Sequence, residues 1–174
     1  MSRFAFAFVV FVALALLVAV PSVTNAQTAP VCEPQGQGFW ARQCKGLGEI
    51  PTGKAGKPGL HPAYPEDVLR GFLAEVDAYF VPFAGQTTCE ALDAEPSSDV
   101  CERAYKQCAA TVLNLYSGLL DPSCPVDLSG VELPAGYPEP ANVEEALAIL
   151  LLLTPPPSPE DCSLAHDVCA ALNG

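Results

Sequence analysis

The sequence predicts an all-α fold, a small disulfide-stapled bundle of four main helices with an extended N-terminal arm. Four segments carry apolar residues at three- and four-residue spacing, each opened by a helix-start signature. Eight cysteines follow an N-terminal apolar run, and neither a period-two strand pattern nor an internal repeat occurs.

Residues 4–20 are apolar throughout, follow Arg3 and end at Pro21 before the small-residue run 22–26. This is the pattern of a secretory signal peptide, with Thr24 and Ala26 flanking a cut after Ala26. Removing 1–26 leaves 174 − 26 = 148 residues, the length of one domain. Seven bases against 20 acids then give 7 − 20 = −13, a charge that argues against a nucleic-acid partner. Half the chain is apolar, far above a disordered segment. The expected organisation is therefore a signal peptide (1–26), an irregular Gly/Pro-rich arm (27–63) and a helical domain (64–174), in a secreted protein, extracellular or periplasmic. The apolar run 147–153 is far too short to span a bilayer, so no membrane span is expected once the signal is removed.

In the arm, two hydrophobic clusters stand out, Phe39-Trp40 and Leu47 with Ile50, and 45–59 reads as a mobile basic loop carrying Lys45, Lys54 and Lys57. The first helix opens at Pro65-Glu66-Asp67, with proline where no amide is needed and acids at the positive end of the dipole. Val68, Leu69, Phe72, Val76, Tyr79 and Phe80 give its apolar stripe, and Pro82 ends it. Thr87-x-x-Glu90 is a capping box for a short helix through about Leu92. Ser97-Ser98-Asp99 opens the longest helix, striped by Cys101, Ala104, Cys108, Val112, Leu115 and Leu119 and running to Asp121-Pro122. After the Pro/Gly-rich stretch 122–141, Asn142-x-x-Glu145 caps a helix that should be the most buried, since 147–153 is apolar on every side. Pro155-Pro156-Pro157 is a stiff spacer, and Ser158-Pro159-Glu160-Asp161 opens the last helix, striped by Cys162, Ala165, Cys169 and Leu172 and closed by Asn173-Gly174.

An even cysteine count behind a signal peptide points to four disulfides among Cys32, Cys44, Cys89, Cys101, Cys108, Cys124, Cys162 and Cys169. Cys101 and Cys108 lie seven residues apart on one helix, about 10 Å, as do Cys162 and Cys169. Neither pair can close on itself, because a bridge needs roughly 4.4–6.8 Å between Cα atoms. Setting the last helix antiparallel to the long one pairs Cys108 with Cys169 and Cys124 with Cys162, leaving Cys32 for Cys44 and Cys89 for Cys101. The rival is a two-rung ladder, Cys101 to Cys169 and Cys108 to Cys162, which sends Cys89 to Cys124 or to the arm.

Chemistry-bearing motifs are few. Cys162, His166 and Cys169 form the best metal constellation, but extracellular thiols beside six other cysteines oxidise, so neither a metal nor a cofactor is expected. His61 and His166 lie in no nucleophile motif, the paired acids Glu144-Glu145 and Glu160-Asp161 are first-turn residues, and no calcium-loop spacing occurs. No catalytic residue is expected. The arm bases Arg42, Lys45, Lys54 and Lys57 face a C-terminal portion with three bases and 18 acids, and should be drawn loosely onto it. The one segment with specificity is 35–44, Q-G-Q-G-F-W-A-R-Q-C. Phe39, Trp40 and Arg42 could form a recognition surface, as aromatics beside arginine do at interfaces. The plain reading has the aromatics folding back as a lid over the helices, pinned by Cys44.

The same opening, Q-G-F/Y-W-x-R-x-C, together with Asn114-Leu115-Tyr116-Ser117-Gly118-Leu119-Leu120 and the closing 162–173 helix, resembles a cysteine-containing module that recurs in secreted bacterial proteins. The likeness covers about residues 35–174. No activity is assigned to that module, so the resemblance implies an extracellular setting and no catalytic residues. Copies keep cysteines like Cys89, Cys101, Cys124 and Cys162 but often lack those at 108 and 169, which implies that Cys108 and Cys169 are an added bridge.

The functional expectation is a secreted, non-catalytic structural or binding domain with an extracellular partner that the sequence does not name. One alternative is a carrier of a small apolar ligand, walled by 147–153, although the adjacent-cysteine and C-x-C elements of plant lipid-transfer proteins are missing. A small extracellular hydrolase is the other.

Overall fold

The computed structural model describes residues 29–48, 63–79, 87–93, 97–150 and 157–174. The signal-peptide cleavage site, most of the basic loop, His61, Pro82 and Pro155-Pro156 of the spacer lie outside the described residues. Six helices are described: α1 (Gln37–Gly46), α2 (Glu66–Tyr79), α3 (Thr88–Asp93), α4 (Val100–Tyr116), α5 (Val143–Leu150) and α6 (Pro159–Asn173). No strand occurs among them, so the all-α expectation holds.

The local start signals work as read. Thr87 and Glu90 exchange backbone-to-side-chain bonds at the head of α3 (2.8 and 3.2 Å), and Asp99 accepts from the Cys101 and Glu102 amides at the head of α4. Asn142 accepts from the Glu145 amide while Glu145 reaches back to the Ala141 amide. Ser158 and Asp161 form a full capping box on α6 with Pro159 in its first turn. Each satisfies amides that the first helical turn otherwise leaves unpaired.

Two readings need correction. The arm is not wholly irregular: 37–46 is helical, although Gly36 caps it without a side chain. Its stability is tertiary in origin, because Trp40, Ala41, Gln43 and Cys44 are buried on one side of it. The long helix stops at Tyr116 and not at Asp121. Gly118 adopts φ 74°, a left-handed conformation that breaks the helix, and the Asn114 carbonyl receives the amides of Leu119 and Leu120.

α4 is the central element, with nine buried residues, and packs against α1, α2, α3 and, most extensively, α6. One apolar cluster joins Trp40, Leu69, Val76, Leu92, Ala109 and Leu113, and a second joins Leu120, Leu128, Val143, Ile149, Val168 and Leu172. Over its described residues α5 is not the most buried helix, and 151–153 of the apolar run lie outside them. Val143, Ala146 and Ile149 face inward while Glu144, Glu145 and Ala148 are exposed, an amphipathic pattern over the described part.

Four disulfides join Cys32 to Cys124, Cys44 to Cys89, Cys101 to Cys162 and Cys108 to Cys169. The Cys108–Cys169 bridge is as expected; the pairings of Cys32 with Cys44, Cys89 with Cys101 and Cys124 with Cys162 are not, and neither is the rival ladder. α4 and α6 run parallel. Equal seven-residue spacing then places both rungs in register, with Cα separations of 4.8 and 5.0 Å. The connection 117–158 holds α5 and is long enough to carry the chain back to the start of α4, which a short helical hairpin could not do. Cys32 is carried to Cys124 by an antiparallel pairing of the arm with the segment after α4, in which the Glu33 amide donates to the Leu119 carbonyl and the Asp121 amide to the Val31 carbonyl. No described helix is long and apolar enough to cross a membrane.

Candidate functional site

The 35–44 segment divides between core and surface. Trp40 is 1% exposed, stacks on Tyr64 with centroids 5.9 Å apart, meets Phe39 edge-on and donates its indole N–H to Asn114 Oδ1 at 3.1 Å. The aromatic lid is therefore the arrangement present, and Trp40 is not displayed on the surface. Phe39 is half-buried and Arg42 exposed.

Asn114 is the centre of a buried polar network that the sequence did not disclose. Its Oδ1 accepts from Trp40 and from the Gln35 amide, while its Nδ2 donates to the Gln35 carbonyl and to Asn173 Oδ1. All four of its hydrogen-bonding positions are used. Asn173 Oδ1 also accepts from the Thr111 hydroxyl, and Asn173 Nδ2 donates to the Gln107 carbonyl at 2.9 Å. Every member is bonded, so the network ties the arm, α1, α4 and α6 together without an unsatisfied group, and its role is architectural.

The thiols of Cys162 and Cys169 are consumed in bridges and cannot serve as thiolate ligands, and His166 instead lies 2.8 Å from the Asp167 carboxylate. No group of three or more potential metal ligands occurs among the described residues.

A cleft of about 510 Å³ opens between α1, the end of α3, α4 and α6. Arg42 and Lys45 face it from α1, Arg103 and Lys106 from α4, and His166 from α6. These are four of the five lysines and arginines among the described residues. Helical geometry brings them there, because each pair is spaced i, i+3 and so shares a face, while Gly38 and Ala41 keep the α1 side low. Asp93 is the acidic residue of the lining among the described residues and pairs with Lys45. Arg103 donates to the Ser97 carbonyl at 3.3 Å, and the Arg42 side chain makes no hydrogen bond or ion pair among the described residues. Lys45 thus pairs with an acid of the 61–174 portion, as expected of the arm bases, but from a helix and not from a mobile loop, while Arg42 shares the cleft with Arg103 and Lys106; Lys54 and Lys57 lie outside the described residues. The repeated R-x-x-K spacing at 42/45 and 103/106 is the sequence signal that marks this cleft.

Against protein-family models, curated proteins and solved structures, the chain shows no match.

Proposed function

We propose that the chain is a secreted, non-catalytic domain that acts outside the cell by binding or as structure. The observation that carries this reading is the complete pairing of eight cysteines into four bridges, which fits an extracellular or other oxidising compartment. The bridges tie together the arm, α1, α3, α4, α6 and the segment after α4, a rigid scaffold of the kind on which exposed side chains serve recognition. The N-terminal apolar run and the small residues before Gln27 supply the export signal in this reading. The sole tryptophan and the buried amides serve packing and leave the exposed cleft to meet a ligand.

Native mass measurement on protein recovered from the extracellular fraction tests it. The reading expects the mass of residues 27–174 less eight hydrogens, with no apolar molecule retained. Retention of 1–26 or free thiols would contradict export and oxidation, and a retained lipid mass would favour the apolar carrier.

A further inference from the structure

We propose that the basic cleft binds a compact organic oxyanion bearing two or more phosphate or carboxylate groups, an assignment that rests on the reading of the chain as a non-catalytic binding domain. The chain carries 20 acids against eight bases, so bases placed for stability would be dispersed among carboxylates. Four of the five described ones instead converge on one cleft, whose described lining holds a single carboxylate, that of Asp93. Like charges held together cost stability, and a cleft lined mainly by one sign raises the local concentration of the opposite one.

The donor geometry selects oxyanions. Arg42 and Arg103 present planar forks from two different helices, and such forks pair bidentately with phosphate or carboxylate. Lys106 lines the cleft although it is 5% exposed, and His166 lines it from α6 with its Nδ1 against the Asp167 carboxylate. The size of the ligand follows from volume and from the surrounding charge. A space of about 510 Å³ holds a small molecule. A polyanion extending beyond it would lie on a surface that is acidic elsewhere, within the ~8 Å over which charges interact at physiological salt.

Titration of the full disulfide-bonded chain, followed by amide NMR shifts and calorimetry, tests the assignment with inorganic pyrophosphate, citrate and long-chain polyphosphate. Pyrophosphate and citrate should move amides of α1 and of the first half of α4, the comparison of the two showing whether phosphate or carboxylate is preferred. Arg42→Gln and Arg103→Gln, both at exposed positions, should each weaken binding about tenfold. Arg70→Gln, outside the cleft, should leave it unchanged. No shift at millimolar probe, binding that survives the double Arg42→Gln, Arg103→Gln variant, or tighter binding of polyphosphate than of pyrophosphate would overturn the cleft assignment and leave the non-catalytic reading standing. Release of orthophosphate from pyrophosphate would overturn that reading itself.

Discussion

The side-chain amide of Asn114 donates to Asn173 Oδ1 at 3.0 Å, so the middle of the core is held by two asparagines 59 residues apart. This contact makes the last turn of α6 part of the same unit as the tryptophan of α1. Asn114→Ala would strand the Trp40 indole N–H and the Gln35 amide at once. Stability should fall by about 3 kcal/mol in denaturant titration, since each buried group left without a partner costs about 1–3 kcal/mol. A loss below about 1 kcal/mol would mean that water replaces the amide without penalty.

Asn114→Asp is nearly isosteric but places a second oxygen against the Gln35 carbonyl and Asn173 Oδ1. Burial and those facing oxygens raise the new carboxyl's folded pKa above its unfolded value. With the folded pKa raised, the variant is most stable below the unfolded pKa and loses stability as pH rises through the folded one. Thermal melts of variant and parent at acid and neutral pH should therefore diverge toward neutrality; a constant gap would contradict this.

The parallel ladder predicts a specific coupling between its rungs. Either bridge alone closes a loop of 61 residues and should stabilise by about 4 kcal/mol. Once one is present, the other closes a ring of 8 + 8 = 16 residues, 101–108 with 162–169, worth about 3 kcal/mol. Paired Cys→Ala variants should thus lose about 3 kcal/mol for either rung and about 7 for both. Losses that add without excess would show that the rungs do not share a ring.

Tyr105 is buried, and burial foremost pushes its phenol above the ordinary value of 10.0, with the Asp77 carboxylate adding to the rise and the Thr88 hydrogen bond opposing it. The corresponding stability is fully present below the unfolded pKa and is lost as pH climbs through the folded one. Ultraviolet titration should show a tyrosine ionising above the ordinary value, and Asp77→Asn should bring it down. A Tyr105→Phe variant with an unchanged titration curve would refute the assignment.

What the sequence revealed was local. Thr87, Asp99, Asn142 and Ser158 act within three residues of their partners, so their caps are visible in the order of the chain. Helix α1 was not visible, because Gly36 and Gly38 weaken it locally and its stability comes from Trp40 and Cys44 packing against elements far along the chain. The ban on bridging within a helix followed from helical rise alone. The direction of α6 did not, because nothing in the composition of 117–158 fixes how that connection travels. The Asn114 network was equally hidden, since Asn114 lies off the apolar stripe read from the sequence and chain order gives no sign of what lies opposite it. The cleft stood in the sequence as two R-x-x-K pairs, but only the packing of α1 beside α4 places them face to face.

The parallel, in-register ladder is the claim on which the architecture rests, and disulfide mapping of the unreduced protein tests it most directly. Trypsin cuts after Arg103 and Lys106, separating Cys101 from Cys108, and cleavage before Asp167 separates Cys162 from Cys169. The structure predicts a peptide containing Cys101 joined to one containing Cys162, and Cys108 joined to Cys169. Cys101 joined to Cys169 with Cys108 joined to Cys162, or Cys124 joined to Cys162, would mean antiparallel helices and would contradict the fold described.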